Sequence, residues 1–333
     1  MMVDRAALEI GLHAAVIAVE GGSPLYLAIP GKSPTGDELD GLPFGPYRPQ
    51  QHRTLDTGLR SWVEDQTRLS LGYVEQLYTF GDMGRMQNAA DQSQSFVSVG
   101  YLALVRKPDG TAANQSLKWG DWYGHFPWED WRSGPPPLLT EQLMPALAEW
   151  VAASPGERST VSGLDRQVRF RLAFGCELRK SDKPEIIAWD EERVLERYEL
   201  MYEAGLVDEA VTDGQVDALT IAASPGRPML HDHRRILATA IARLRAKLKY
   251  RPVVFELLPE NFTLTELQQT VETLSGQLLH KQNFRRMVEK AELVEPTGAT
   301  ASRTGGRPAA YFRFRKAVLR ERPAPGLRIG SRG

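Results

Sequence analysis

The sequence has a single cysteine, Cys176, in 333 residues. An internal disulfide is excluded, and a reducing cytoplasm is the expected location. No apolar run approaches the roughly 18 residues that a membrane span needs, and Asp4, Arg5 and Glu9 interrupt the N-terminus before a signal-peptide core could form. The chain is expected to be soluble and to have no membrane partner. Cys176 has no base near it in sequence and reads as a buried structural thiol. His231 and His233 are two apart, whereas a metal pair on one helix face needs a spacing of four, so capping or packing is expected of them. Gly21-Gly22 and Gly305-Gly306 lack the strand-to-helix context of a phosphate-binding loop and read as turns. No catalytic residue, metal ligand or cofactor is assigned.

The net charge of −1 conceals a separation of charge. From Pro296 to Gly333, nine Lys and Arg face Glu321 alone, a net of +8, so the rest of the chain sums to −9. A basic end on an acidic body fits a module that meets a polyanion, although a basic tail gives the same count. The length allows two or three domains, each with its own core.

Leu12 to Val19 and Leu25 to Ile29 read as strands joined by the Gly21–Pro24 turn, followed by a Gly/Pro-rich loop from Pro30 to Pro49. A helix over Thr54 to Gln66 puts Leu55, Leu59, Trp62 and Val63 on one face. Leu71 to Phe80 and Gln94 to Val105 read as strands, closing a compact α/β unit near residue 130. The aromatics from Trp119 to Trp131 read first as core packing and second as a pocket wall or interface. Further on, the pattern predicts a helix over Thr140 to Ala152 capped by Thr140, a strand pair within Val168 to Leu178, a helix from Asp190 to Ala204 ended by Gly205, a long helix over His231 to Leu248, and a short strand over Val253 to Leu258.

Thr263 is an N-cap candidate, and Glu266 three residues on completes a capping box; Leu264, Leu267, Val271 and Leu274 form the stripe of that helix and Gly276 ends it. In the next helix Phe284, Met287, Val288 and Ala291 recur at helical spacing, leaving Lys281, Gln282, Asn283, Arg285, Arg286 and Lys290 outward. Arg and Lys read guanine, Asn and Gln read adenine, and other cations hold phosphates, so these are the side chains of a major-groove helix. An ordinary solvated face has the same composition. Strands at Leu293–Pro296 and Ala310–Phe314 enclose a basic hairpin with Arg307 at its tip and Arg313 on its second strand. Two helices and this hairpin describe a winged helix-turn-helix. It is expected on double-stranded operator DNA and as a homodimer, because one module contacts few phosphates. Protein–protein contact is the competing use of the shape.

The segments Phe255-Glu-Leu-Leu-Pro259, Phe262-Thr-Leu-Thr-Glu-Leu267, Asn283-Phe-Arg-Arg286 and Gly306-Arg-Pro-Ala309 resemble the C-terminal domain of the Nudix-related transcriptional regulators of NAD metabolism, in their longer alphaproteobacterial form. Leu244-Arg-Ala-Lys-Leu-Lys-Tyr250 looks like the helix preceding that domain, and Tyr73-Val-Glu-Gln-Leu-Tyr-Thr-Phe-Gly-Asp82 like a strand following the Nudix helix. The resemblance implies an α+β chain: a Nudix-like α/β/α sandwich over 8–130, a largely helical insertion over 131–229, a connecting helix over 230–250, a winged helix over 251–318 and a disordered basic tail over 319–333. It further implies a repressor of NAD biosynthesis or salvage genes whose effector is a nucleotide such as ADP-ribose.

A hydrolase of that family needs an Arg-Glu pair and two further adjacent glutamates on one helix to hold divalent ions. Aligned on Arg60, this chain has Ser61 at the first glutamate, then Glu64 and Asp65; shifted by one, Ser61 stands at the arginine and Trp62, Asp65 and Gln66 at glutamates. Both registers are damaged. The expectation is a sensor that has lost hydrolysis, with Arg60, Glu64 and Asp65 as candidate effector contacts. Mg2+ enters only if the alternative, an active hydrolase of ADP-ribose or a related dinucleotide, holds. A protein–protein adaptor is the third reading.

Overall fold

The first strand organises the molecule. In a computed structural model that describes residues 8–33, 35–81, 95–108, 117–154, 156–159, 163–177, 185–301 and 308–321, β1 (Leu8–Glu20) is buried continuously from Gly11 to Ala18. It lies between β2 (Ser23–Lys32), antiparallel, and β6 (Ser95–Leu104), parallel. Even-numbered Leu12, Ala14 and Val16 pack with Leu59 and Val63 of α1 (Leu55–Thr67). Odd-numbered Ala15 and Ile17 join the core that contains Ile236, Leu237, Ile241 and Leu244 of α6 (His233–Tyr250). A strand covered on both faces is apolar at every position instead of alternating. The sheet runs β3 (Glu38–Gly41), β2, β1, β6, β5 (Tyr73–Phe80), with β4 (Phe44–Pro46) against β1 and β7 (Lys118–Asp121) against β2. With a helix on each face, this is the α/β/α sandwich anticipated from the sequence.

Helices α2 (Met144–Ala153), α3 (Arg166–Phe174), α4 (Val194–Glu203) and α5 (Asp208–Thr212), with the small ladder β8 (Cys176–Glu177) and β9 (Glu185–Ile186), do not form a separate core. Leu147, Phe170, Phe174, Tyr198 and Met201 share one cluster with Trp122, Phe126 and Trp128, so the aromatic run after β7 is core packing. The same cluster continues into the C-terminal module: β10 (Phe262–Thr263), α7 (Leu264–Ser275), α8 (Lys281–Ala291), β11 (Val294–Ala301) and β12 (Ala309–Phe314), followed by α9 (Val318–Glu321).

Several expectations are corrected. The supposed loop from Pro30 to Pro49 contains β3 and β4, short strands that exist because β2 and β1 offer edges to pair with. Where a strand pair was expected within Val168 to Leu178, the chain is helical to Phe174: the Asp165 carboxylate accepts from Val168 N at 2.8 Å and starts α3, and Gly175, at φ 58°, ends it; only Cys176–Glu177 is extended, pairing with β9, and Leu178 lies outside the described residues. Val253–Glu256 is a 3-10 turn; Val253, Val254 and Phe255 are all buried, and an apolar run of that length does not distinguish strand from turn. Thr140 is not an N-cap, because the helical turn already begins at Pro137 and runs through a π turn over Leu139–Leu143 into α2. Asp190 forms a turn, accepting from Glu192 N at 3.0 Å, and α4 starts only at Val194. Beyond Glu321 the basic tail lies outside the described residues, and Leu319–Glu321 within it are helical.

The start of α6 meets β1 through imidazoles. Leu42 N–H donates to His233 Nδ1 at 3.0 Å, so His233 Nε2 carries the proton and donates to His13 Nδ1 at 2.9 Å. Across the sheet, His125 Nδ1 donates to the Arg227 carbonyl at 2.7 Å and its Nε2 accepts from Tyr26 Oη at 2.6 Å. All these rings are neutral. Burial, with His231 nearby, depresses His13 from 6.5 to about 3, and burial depresses His125 to about 4. Since folded values lie below the unfolded 6.5, the unfolded chain takes up protons first, and stability is lost as pH falls from 6.5 towards 4 and then 3. Denaturant titrations at stepped pH should show this loss over that window, and His13→Gln should flatten it.

Candidate nucleic-acid interface and sensor site

The helix pair of the C-terminal module is set by its caps. Thr263 Oγ1 accepts from Glu266 N at 3.2 Å while Glu266 Oε2 accepts from Thr263 N at 2.7 Å, the reciprocal box read from the sequence. Gly276, at φ 73°, closes α7. In α8, Phe284 and Val288 are buried and Met287 and Ala291 half-buried. Lys281, Gln282, Asn283, Arg285, Arg286 and Lys290 are all exposed. No ion pair holds Lys281, Arg285, Arg286 or Lys290 among the described residues. These cations are therefore available to an external anion.

The three-stranded sheet β10-β12-β11 backs this helix, with Phe255 stacked on Phe314 at 4.5 Å. The wing is less free than the helix. Arg313 donates through Nε to Glu295 Oε1 at 2.6 Å, which offsets its charge in place. Arg307 lies outside the described residues.

On α1, Glu64 and Asp65 are exposed and face solvent. Arg60 is committed locally: its Nε pairs with Asp56 at 2.9 Å and its Nη1 donates to the Leu71 carbonyl at 2.5 Å. Trp62 and Gln66 turn toward β4, where Trp62 Nε1 donates to Pro46 O at 2.9 Å and Gln66 Nε2 donates to Phe44 O at 2.6 Å. A Cβ on Gly45 would lie 2.2 Å from the Trp62 ring, so the indole sits directly on the strand. Arg60 and Glu64 stand one turn apart on α1, and the ion pair of Arg60 is with Asp56. Among the described residues there is no group of three His, Cys, Asp or Glu able to hold a metal ion.

The junction of the two modules was missed by sequence reading. Glu129 is fully buried between Arg197 of α4, which donates from Nε at 2.6 Å and Nη2 at 2.8 Å, and Arg245 of α6, which donates from Nη1 at 2.7 Å. Arg245 Nε also donates to Leu274 O at 2.9 Å; Tyr123 Oη donates to Thr273 O at 2.9 Å and Trp131 N to Gly276 O at 2.7 Å. The free carbonyls at the end of α7 are thus held by the sandwich side. A signal existed: Arg197 follows Val194 and precedes Met201 on the inward stripe of α4, and Arg245 sits between Ile241 and Leu248 on that of α6.

These features define a class: an α/β/α sandwich carrying a winged helix whose recognition-type helix presents, among the described residues, unpaired cations. Residues 254–314 match the family model described as the NrtR DNA-binding winged helix domain. The C-terminal module is thus similar to the winged helix of that family. The "ADPR responsive transcriptional repressor NtrR" of Acinetobacter baylyi is 41% identical over 83 residues, which are 25% of this chain and 33% of that protein. The chain thus spans a third of the curated relative it matches. The crystal structure of Shewanella oneidensis NrtR is similar with a TM-score of 0.50 and 20% identity over 92% of this chain and 94% of that one. The structure of the same protein complexed with a 27mer DNA gives 0.49 and 21%, covering 92% and 93%. At 20% identity, the likeness to the unbound protein shows the fold alone.

Because the capping box sets where α7 begins, Thr263→Ala should destabilise the winged helix by about 1 kcal/mol. Urea denaturation followed on the full chain measures it; an unchanged midpoint would mean that packing alone determines the start of α7.

Proposed function

We propose that this protein is an effector-responsive transcriptional regulator that binds duplex operator DNA through α8 and the adjoining wing. The observation that carries the reading is the unpaired cationic face of α8, with Asn283 and Gln282 beside it, in a domain of the NrtR kind. Arg285 and Arg286 are the residues suited to guanine edges and phosphates, and Asn283 and Gln282 to adenine. The chain acts as a homodimer on a palindromic site, since one such module makes few contacts. The effector is ADP-ribose or another NAD-related nucleotide, a class supported by the name of the Acinetobacter baylyi relative. The regulated genes are those of NAD synthesis or salvage, the chain works in the cytoplasm, and the effector releases repression.

The sandwich acts as a sensor and not as a hydrolase. Trp62 and Gln66 bonded to β4, with Glu64 and Asp65 in solvent, support that reading over diphosphate cleavage, which would need clustered carboxylates. Incubation with ADP-ribose and Mg2+ should release no product; Mg2+-dependent cleavage would replace the sensor with an enzyme.

Gel-shift and anisotropy titrations against the upstream region of the chain's own gene and NAD-biosynthesis promoters, with ADP-ribose, NAD and NMN in parallel, test the whole reading. Binding should weaken with salt, and each of Arg285→Ala and Arg286→Ala should lower the log–log salt slope by about 1. Unchanged binding by the double variant would remove α8 from the interface.

A further inference from the structure

The end of α7 is where the DNA-binding module meets everything else, and its surroundings are buried and polar. Thr273 O, Leu274 O and Gly276 O are held by Tyr123, Arg245 and Trp131, respectively. A Cβ at Gly276 would lie 2.4 Å from Glu129 O, so the approach is as close as backbone allows. Two of these holding groups, Trp131 and Arg245, are in turn held by the segment between the sandwich and α6. Trp131 stacks on Trp189 at 4.3 Å, and the Arg197 guanidinium lies 3.8 Å over the same Trp189 ring. Arg245 Nη1 donates to Glu191 O at 3.1 Å, and Glu129, which orients Arg245, is gripped in a two-bond fork by Arg197.

We infer that Arg197 is a positioning residue for the winged helix: acting through Glu129, Arg245 and Trp189, it sets the angle at which α7, and with it α8, leaves the sandwich. The inserted helices are then a brace that makes the reading head rigid relative to the sensor, not a peripheral decoration. The charge arithmetic makes the role separable from folding. The cluster holds two cations and one anion, so loss of Arg197 leaves a balanced Glu129–Arg245 pair, whereas loss of Glu129 would leave two buried like charges.

The consequence for DNA rests on the regulatory reading above, but the geometric claim does not. Spin labels placed at Ser70→Cys beyond α1 and Glu289→Cys on α8, in a full-length Cys176→Ser background, report the distance between sensor and reading helix by pulsed dipolar spectroscopy without DNA or effector. The parent should give one narrow distance distribution. Arg197→Met, with its helical circular dichroism retained, should broaden or shift it, and Arg197→Lys, which keeps the charge and loses the fork, should do the same if the methionine variant does not fold. Arg169→Gln breaks an ion pair with Glu203 inside the insertion at 2.5 Å and should leave the distribution unchanged. An unaltered distribution in folded Arg197 variants, or equal broadening by Arg169→Gln, overturns the inference. On the promoter duplex bound by the parent, the Arg197 variants should lose affinity several-fold at constant salt slope, because the phosphate contacts of α8 survive and only its presentation changes. If no duplex binds the parent, the regulatory reading fails while the distance measurement still decides the brace.

Discussion

One carboxylate holds this molecule in register. Glu129 lies with no solvent exposure between two guanidiniums, and every remaining donor of those groups that the structure pairs meets a carbonyl or a phenol from a different segment. Such clusters cost so much desolvation that they add little net stability over well-packed apolar residues. What they add is exclusivity. The fork geometry is met only when the turn after β7, α4, α6 and the end of α7 are present together, so a rotated or slipped arrangement leaves buried charge unpaired.

That constraint gives the rest of the architecture its division of labour. Both faces of β1 are consumed by packing, α1 on one side and α6 on the other, which leaves the sandwich to offer loops and edges to a ligand. α6 begins against β1 through His233 and meets α7 through Arg245, so one helix touches both modules. α8, by contrast, buries only Phe284 and Val288 fully and leaves its polar side chains exposed. Charge is buried where position matters and left exposed where contact with an outside partner matters.

Legibility followed the same split. The capping box at Thr263, the stripe of α8 and the outward cations were all readable, because helix caps and periodicity are local. β1 was readable as a strand although not as one covered on both faces. The errors fell where local signals were weak or where a partner decides: β3 and β4 are strands only because an edge awaited them, and Val253–Glu256 is a turn despite an apolar, β-branched start. For the candidate effector site, the sequence revealed that the carboxylate pattern was broken. It did not reveal that Trp62 and Gln66 are bonded to β4 or that Arg60 is tied to Asp56.

By itself, then, the sequence determined the local elements and the character of the reading helix, since caps, apolar periodicity and outward charge need no distant partner. Only the tertiary structure decided how that helix is held. Glu129, Arg197 and Arg245 are separated by dozens of residues, and nothing in the neighbourhood of any one of them states that a buried charge will be matched by the other two. The pairing of buried charges is a non-local condition, satisfied or violated only once the chain has closed on itself.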